Sequence, residues 1–219
     1  MLYLGIDEAG KGPVIGPLVV SGCMVDDQKY VGLENIRVRD SKDLTLRRRE
    51  FMSNKIKEVT DDYEVKVVSA EEIDQNMSSG VNMNQLEANK IAEIINKFND
   101  GSDNIKVMVD CPSIGIRKWK ELLMSKIDNL SNLEIVCEHK ADRNHVPVSA
   151  ASILAKSVRE KEMQSLKEKF GHEIGSGYAS DTSTSDFVKR NADRLKDQGL
   201  FRQSWKTWKR ASKEVVDEK

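Results

Sequence analysis

LYLGIDEAGKGPVIGPLVVSGCMV, residues 2–25, is the stretch on which the fold turns. Leu2 to Asp7 is a short apolar run that ends in charge, and Pro17 to Val25 is rich in β-branched residues, so both read as buried strands. Glycines at 10, 12 and 16 fill the connection between them. Glycines spaced this closely let a backbone approach a ligand, and the exposed N–H groups of such a loop form an anion-binding nest. A plain strand connection has the same composition.

Beyond this block, Thr45 to Val59 is rich in Arg, Lys and Glu and predicts a helix, and Tyr63 to Ser69 predicts a third strand. Asn84 to Phe98 sets Leu86, Ala88, Ile91, Ile95 and Phe98 on a stripe at helical spacing. Ile105 to Asp110 is a strand that runs into a carboxylate. Trp119, Leu122, Leu123, Ile127 and Leu130 trace another amphipathic helix, and Leu133 to His139 a further strand. Pro147 opens a long helix through Phe170, proline being tolerated in a first turn. The glycine-rich Gly175 to Asp181 then precedes a final helical region. Strands first and strand–helix alternation afterwards predict an α/β protein, a mixed central sheet flanked by helices.

The 219 residues suffice for one domain with a real core and a modest extension. No stretch approaches the roughly 18 apolar residues of a membrane span. The chain opens directly on a strand, with no basic leader region or cleavage site, so a cytoplasmic rather than secreted protein is expected. Cys23, Cys111 and Cys137 are odd in number and lack CxxC spacing, which points to buried free thiols in a reducing compartment. The net charge of −1 gives no global basic signature of a nucleic-acid binder. Its distribution is uneven, however. Between Lys189 and Lys213 stand nine Lys or Arg against only Asp193 and Asp197. Such a surface holds phosphates, or is simply a solvated helical face.

Asp7 and Glu8 lie at the end of the first predicted strand, Asp110 ends another, and Asp142 follows the strand ending near His139. Residues just past strand ends converge on a shared crevice in α/β sheets. Four acids brought together repel one another, and divalent cations between them make the arrangement tolerable. Oxygen-only ligands suit Mg²⁺ or Mn²⁺. Two such ions about 3.5–4 Å apart activate a water and stabilise the leaving oxygen of a phosphoryl displacement. Each acid taken alone reads equally as a helix cap or a solvated loop residue. Tyr178, in a glycine-rich loop, is a stacking surface for a sugar or base or an ordinary half-buried tyrosine.

Taken together, GIDEAGKGPVIGPLVV at the start, DSKDL at Asp40 to Leu44, NMNQLEA at Asn82 to Ala88, VDCP at Val109 to Pro112, HKADRNHVPVSAASILAK at His139 to Lys156, GSGYASD at Gly175 to Asp181 and SWKTWKR from Ser204 resemble the type 2 ribonuclease H family, ribonuclease HII, in its archaeal form. The blocks run in family order over nearly the whole chain. The resemblance implies a ribonuclease H-like fold with a catalytic domain over residues 1–180 and a helical C-terminal extension over 181–219, packed on it on the substrate side. It also implies an endonuclease acting on RNA–DNA hybrids and on ribonucleotides embedded in duplex DNA. Asp7, Glu8, Asp110 and Asp142 would be its catalytic metal ligands, for two Mg²⁺ or Mn²⁺ ions.

By the same resemblance, Gly10, Lys11 and Gly12 match the loop that recognises ribose 2′-hydroxyls, the groups that distinguish RNA from DNA. Tyr178 matches the tyrosine that packs on the deoxyribose following a ribonucleotide. Ser41 and Lys42 match a loop that touches backbone phosphate, and Asn84 a substrate-side asparagine. The family usually has arginine where this chain has Lys11, and lysine lacks the bidentate fork. Type 3 relatives carry a further domain ahead of this block, so type 2 is expected. His139, His145 and His172 match no family catalytic histidine and are expected to be structural or surface residues.

Two other readings predict different behaviour. A DNA-strand or junction-resolving nuclease of the same fold class would share the acids and be indifferent to the 2′-hydroxyl. A non-catalytic nucleic-acid-binding protein would bind without metal. Trp205 and Trp208, set among lysines, read as core packing against a sheet rather than a partner motif. There is no clear sliding-clamp peptide, and a monomer is expected.

Overall fold

The computed structural model describes residues 1–36, 38 and 44–217, with side chains as far as residue 212. Five strands form one sheet: β1 (Leu2–Ala9), β2 (Leu18–Val25), β3 (Asp62–Val68), β4 (Ile105–Asp110) and β5 (Leu133–Glu138), in the order β3-β2-β1-β4-β5. β1 pairs antiparallel with β2, and parallel with β4, which pairs parallel with β5. The mixed sheet expected from the sequence is therefore present. The helices are α1 (Asp27–Asn35), α2 (Leu46–Val59), α3 (Ala70–Ser78), α4 (Met83–Phe98), α5 (Ile116–Met124), α6 (Ala141–Asn144), α7 (Val146–Phe170), α8 (Thr182–Asn191) and α9 (Lys206–Asp217). α1, which carries no strong apolar stripe, and α3, a short helix that buries only Ala70 and Ile73, lie where the sequence predicted no element. Their starts are fixed instead by side-chain caps, Asp26 accepting from the Lys29 N–H and Ser69 from the Glu72 N–H. Helix α5 stops at Met124, so Ile127 and Leu130 lie beyond it, Ile127 still buried.

The chain divides into two compact units. The first comprises residues 1–9, 19–66 and 84–157 and contains the sheet. All eight residues of β2 are buried, which is why it reads as an unbroken apolar run and not as an alternating one. Cys23 and Val25 of β2 pack with Leu33, Ile56 and the Ala150, Ala151 and Leu154 of α7. Burying each large aliphatic side chain of this kind contributes about 1.5–3 kcal/mol. The small residues at 149–152 let the helix lie close, and the Ser21 hydroxyl donates to the Ala151 carbonyl at 2.7 Å. Gly5 is required by this contact: a Cβ there would stand 2.1 Å from the Pro147 carbonyl carbon.

The second unit comprises residues 10–18, 67–83 and 158–219. Its core joins Val14 and Ile15 to Met163, Ile174, Phe187, Leu200 and Phe201, and Trp205 and Trp208 pack against it. Those tryptophans thus do serve packing, on this cluster and not on the sheet. Main-chain bonds tie the pieces, Arg202 N–H to Val14 O at 2.9 Å and Val14 N–H to Gly177 O at 2.9 Å. The three cysteines are free, Cys23 and Cys111 buried and Cys137 half-buried. Burial pushes the Cys23 thiol up and the Cys137 thiol up to about 12, which removes both as nucleophiles at neutral pH. No helix among the described residues is long and apolar enough to cross a membrane.

Candidate active site

In the first unit, the sheet register sets the acids. The last parallel pair of β1 and β4 is Ile6 with Val109, and Asp7 and Asp110 are the next residue of each strand. Asp7 is only 6% exposed. Its Oδ1 accepts the Glu8 N–H at 2.7 Å, and the buried Ser152 hydroxyl also donates to the carboxylate. Asp110 Oδ1 accepts the main-chain N–H of Lys140 at 2.8 Å and that of Ala141 at 3.4 Å. Lys140 adopts a left-handed conformation with φ of 60°, which turns the chain from β5 into α6 and sets Asp142 in that helix's first turn. Asp142 is buried, and Glu8 is half-buried beside Asp7.

Burial is the first cause that raises the Asp7 carboxyl, to about 7; the charge of Asp110 adds to it, while Ser152, the Glu8 N–H and Lys156 act the other way. Burial also raises Asp110, with the charge of Asp142 next. The structure thus couples Asp7 to Asp110 and Asp110 to Asp142. Among the described residues no three His, Cys, Asp or Glu side chains converge closely enough to enclose an ion by themselves. The donor chemistry nevertheless fits a hard divalent cation. The groups are all carboxylate oxygens, the donors such a cation prefers, and burial raises two of them, Asp7 and Asp110.

Ser152 and Lys156 were missed by sequence reasoning. Lys156 Nζ donates to Ser152 Oγ at 2.8 Å, so the pair supports Asp7 from one face of α7. The signal was their i, i+4 spacing in the otherwise small and apolar SAASILAK. His139 places Nδ1 3.1 Å from the Cys111 carbonyl, and His145 Nε2 lies 3.1 Å from Glu138. His172 is exposed in a short 3₁₀ turn, His172–Ile174. Asn84 is half-buried in the first turn of α4. Ser41 and Lys42 lie outside the described residues.

The second unit holds the glycine loop and Tyr178. Gly10 has φ of +87°, and a Cβ there would stand 2.4 Å from Arg159 Nε and 2.5 Å from the Pro17 carbonyl, so no other residue fits without strain. Tyr178 is 39% exposed, with the Arg159 guanidinium 5.2 Å from its ring centroid. A Cβ on Gly12 would lie 3.9 Å from Tyr178 Cε1, so loop and ring are neighbours. The tyrosine's own loop is pinned by Asp181, which accepts the Ser176 N–H at 2.7 Å, and by Thr184 Oγ1, which accepts the Gly177 N–H at 3.0 Å.

Comparison with known proteins agrees along the whole chain. A family model described as Ribonuclease HII matches residues 4–208. A ribonuclease HII of Methanococcus maripaludis is 37% identical, the match covering 100% of this chain and 90% of that protein. The crystal structure of ribonuclease H2 from Pyrococcus horikoshii superposes with a TM-score of 0.86 at 35% identity, covering 98% of each chain. Ribonuclease HII of Archaeoglobus fulgidus, solved in complex with PCNA, superposes with a TM-score of 0.82 at 38% identity over 94% of this chain and 96% of that one. The chain belongs to the ribonuclease HII family, and is thereby a metal-dependent endonuclease with the ribonuclease H-like fold.

Proposed function

We propose that this enzyme cuts the RNA strand of RNA–DNA hybrids and the 5′ side of ribonucleotides embedded in duplex DNA, leaving 3′-hydroxyl and 5′-phosphate ends. The observation that carries the proposal is that Asp7 and Asp110 stand side by side at the ends of β1 and β4, with Asp142 buried in the first turn of α6 near Asp110, in a chain that matches the family from residue 4 to residue 208.

Asp7, Glu8, Asp110 and Asp142 are the residues that would hold two Mg²⁺ or Mn²⁺ ions. Ions held there would supply activation of a water and stabilisation of the leaving oxygen. The chain's own groups do the positioning. Ser152 and the Glu8 N–H fix the Asp7 carboxylate, and the N–H groups of Lys140 and Ala141 fix that of Asp110. Gly10, Lys11 and Gly12 read the ribose 2′-hydroxyl, which restricts cutting to RNA. Tyr178 packs on the deoxyribose after the ribonucleotide. Asn84, Ser41 and Lys42 contact the substrate strand, and residues 181–219 form the extension on the substrate side.

The test is cleavage of a labelled DNA duplex containing one ribonucleotide, and of an RNA–DNA hybrid, with Mg²⁺, with Mn²⁺ and with chelator. A metal-dependent nick on the 5′ side of the ribonucleotide is the expected result. An intact duplex beside a cleaved hybrid would remove the junction half of the proposal and point to Lys11. No cleavage of either overturns it.

A further inference from the structure

We infer that residues 202–205 act as a strap that sets the conformation of the Gly10–Lys11–Gly12 loop, with Asp74 as its latch, so that Arg202, Trp205 and Asp74 are positioning residues for ribose recognition. The inference rests on the reading of that loop given above.

Arg202 is completely buried, which is rare for arginine and tolerable only if its donors are satisfied. They are spent on the loop's main chain. Nη2 donates to the Gly10 carbonyl at 2.6 Å, Nη1 to the Lys11 carbonyl at 2.7 Å, and Nε and Nη2 to the Gly16 carbonyl at 3.0 and 2.9 Å. Trp205 lies with its ring centroid 5.0 Å from the same guanidinium, and its indole N–H donates to the Gly12 carbonyl at 3.0 Å. All three carbonyls of the recognition loop are therefore held by two side chains of the strap.

Peptide geometry converts this into a statement about the other face of the loop. In a planar trans peptide, the carbonyl and the N–H of the following residue point in opposite directions. With the Gly10 and Lys11 carbonyls drawn to Arg202, the N–H groups of Lys11 and Gly12 both point away from it. Two successive N–H groups on one side form the concave donor pair that receives an oxygen ligand. Gly12 is exposed, so the pair is presented outward.

The strap is itself fixed at one point by α3. Asp74 accepts the Gln203 N–H at 2.6 Å through Oδ2 and the Ser204 N–H at 2.9 Å through Oδ1, and the Ser204 hydroxyl donates to Oδ1 as well. These bonds hold the two residues between Arg202 and Trp205. Losing them loosens the link between the two anchors, each of which keeps its other contacts.

The test compares the parent enzyme with Trp205→Phe, Asp74→Ala and Asp74→Asn. Trp205→Phe keeps an aromatic ring against the core and deletes the donor to Gly12. Amide hydrogen exchange over residues 10–12 is read first, then KM and kcat on the hybrid and on the single-ribonucleotide duplex. Trp205→Phe is expected to speed exchange at the loop and to raise KM about fivefold, the worth of one hydrogen bond. Asp74→Asn, which keeps one acceptor oxygen, is expected to fall between Asp74→Ala and the parent. If the variants only unfold at a lower temperature, with unchanged loop exchange and unchanged KM, the strap is a structural support and the inference is wrong. If the parent cuts neither substrate, the reading of the loop falls and the inference falls with it.

Discussion

In the first unit Asp7 and Asp110 take their places from strand register, whereas in the second a three-residue loop takes its shape from a side chain 192 residues further along the chain. The two arrangements fail differently. Asp7 and Asp110 move only if β1 and β4 slide past each other, and a slip of one residue would turn every buried side chain of the strand outward. The loop rests on a handful of hydrogen bonds, each worth about 1 kcal/mol, so single substitutions far from it can change its shape while the fold survives. Catalysis should therefore be lost only by changing the acids or their immediate supports. Selectivity should respond to residues elsewhere in the second unit.

The largest effect expected is from Asp7→Asn. Loss of a metal ligand should cost more than the about 10–100-fold that follows loss of an outer partner, and should do so equally on hybrid and single-ribonucleotide substrates. The same variant should be more stable than the parent when metal is chelated. Burial raises the folded-state carboxyl to about 7, so the folded chain favours the protonated form. The penalty for ionising it is absent below the ordinary carboxylate range, grows as pH rises toward 7, and is complete above that. Asp7→Asn should thus unfold at a higher temperature than the parent at about pH 8 and at the same temperature at about pH 4. Full activity in the purified variant would end the assignment of Asp7. A loss of stability at every pH would mean that its carboxylate serves the fold.

Next comes Ser152→Ala, which removes the hydroxyl behind Asp7 and leaves Lys156 without that neighbour. Activity should fall at the lower end of the about 10–100-fold range, again without changing the ratio between the two substrates. A change in that ratio would erase the division of labour between the units.

How much of this could be read from the sequence follows the same division. The strands, the long helix after Pro147 and the places of Asp7 and Asp110 at strand ends were legible, because apolar runs and the carboxylates that close them are local patterns. Gly10 was legible as a glycine that matters, though the Arg159 side chain that crowds it was not. Ser152 and Lys156 were half-legible, as an i, i+4 polar pair on a buried helix face. Arg202 was one of nine basic residues in a segment whose charge suggested a solvated or phosphate-binding surface. Its complete burial depends on carbonyls at residues 10, 11 and 16, and no local pattern announces a contact of that separation. α1 escaped notice because its helical stripe is weak, and α3 because it is short and buries only Ala70 and Ile73; the caps of both lie in ordinary Asp and Ser residues.

Tyr178→Ala gives the smallest effect and the sharpest test of the comparison. The ring is part exposed, and Arg159 sits 5.2 Å from its centroid while Asp181 and Thr184 hold the loop on either side. Truncating the ring leaves that scaffold in place, so the fold and the acids should be unaffected. What is lost is a stacking surface, worth about tenfold in rate on a duplex carrying one ribonucleotide. On a continuous hybrid the strand next to the cut is RNA, and a contact tuned to deoxyribose contributes less there, so cleavage should stay near the parent level. Tyr178→Phe keeps the ring and should behave as the parent on both substrates. An equal loss on both, with Tyr178→Phe impaired as well, would make the hydroxyl the working group and the tyrosine a general substrate contact, and selectivity would then have to rest on the glycine loop alone.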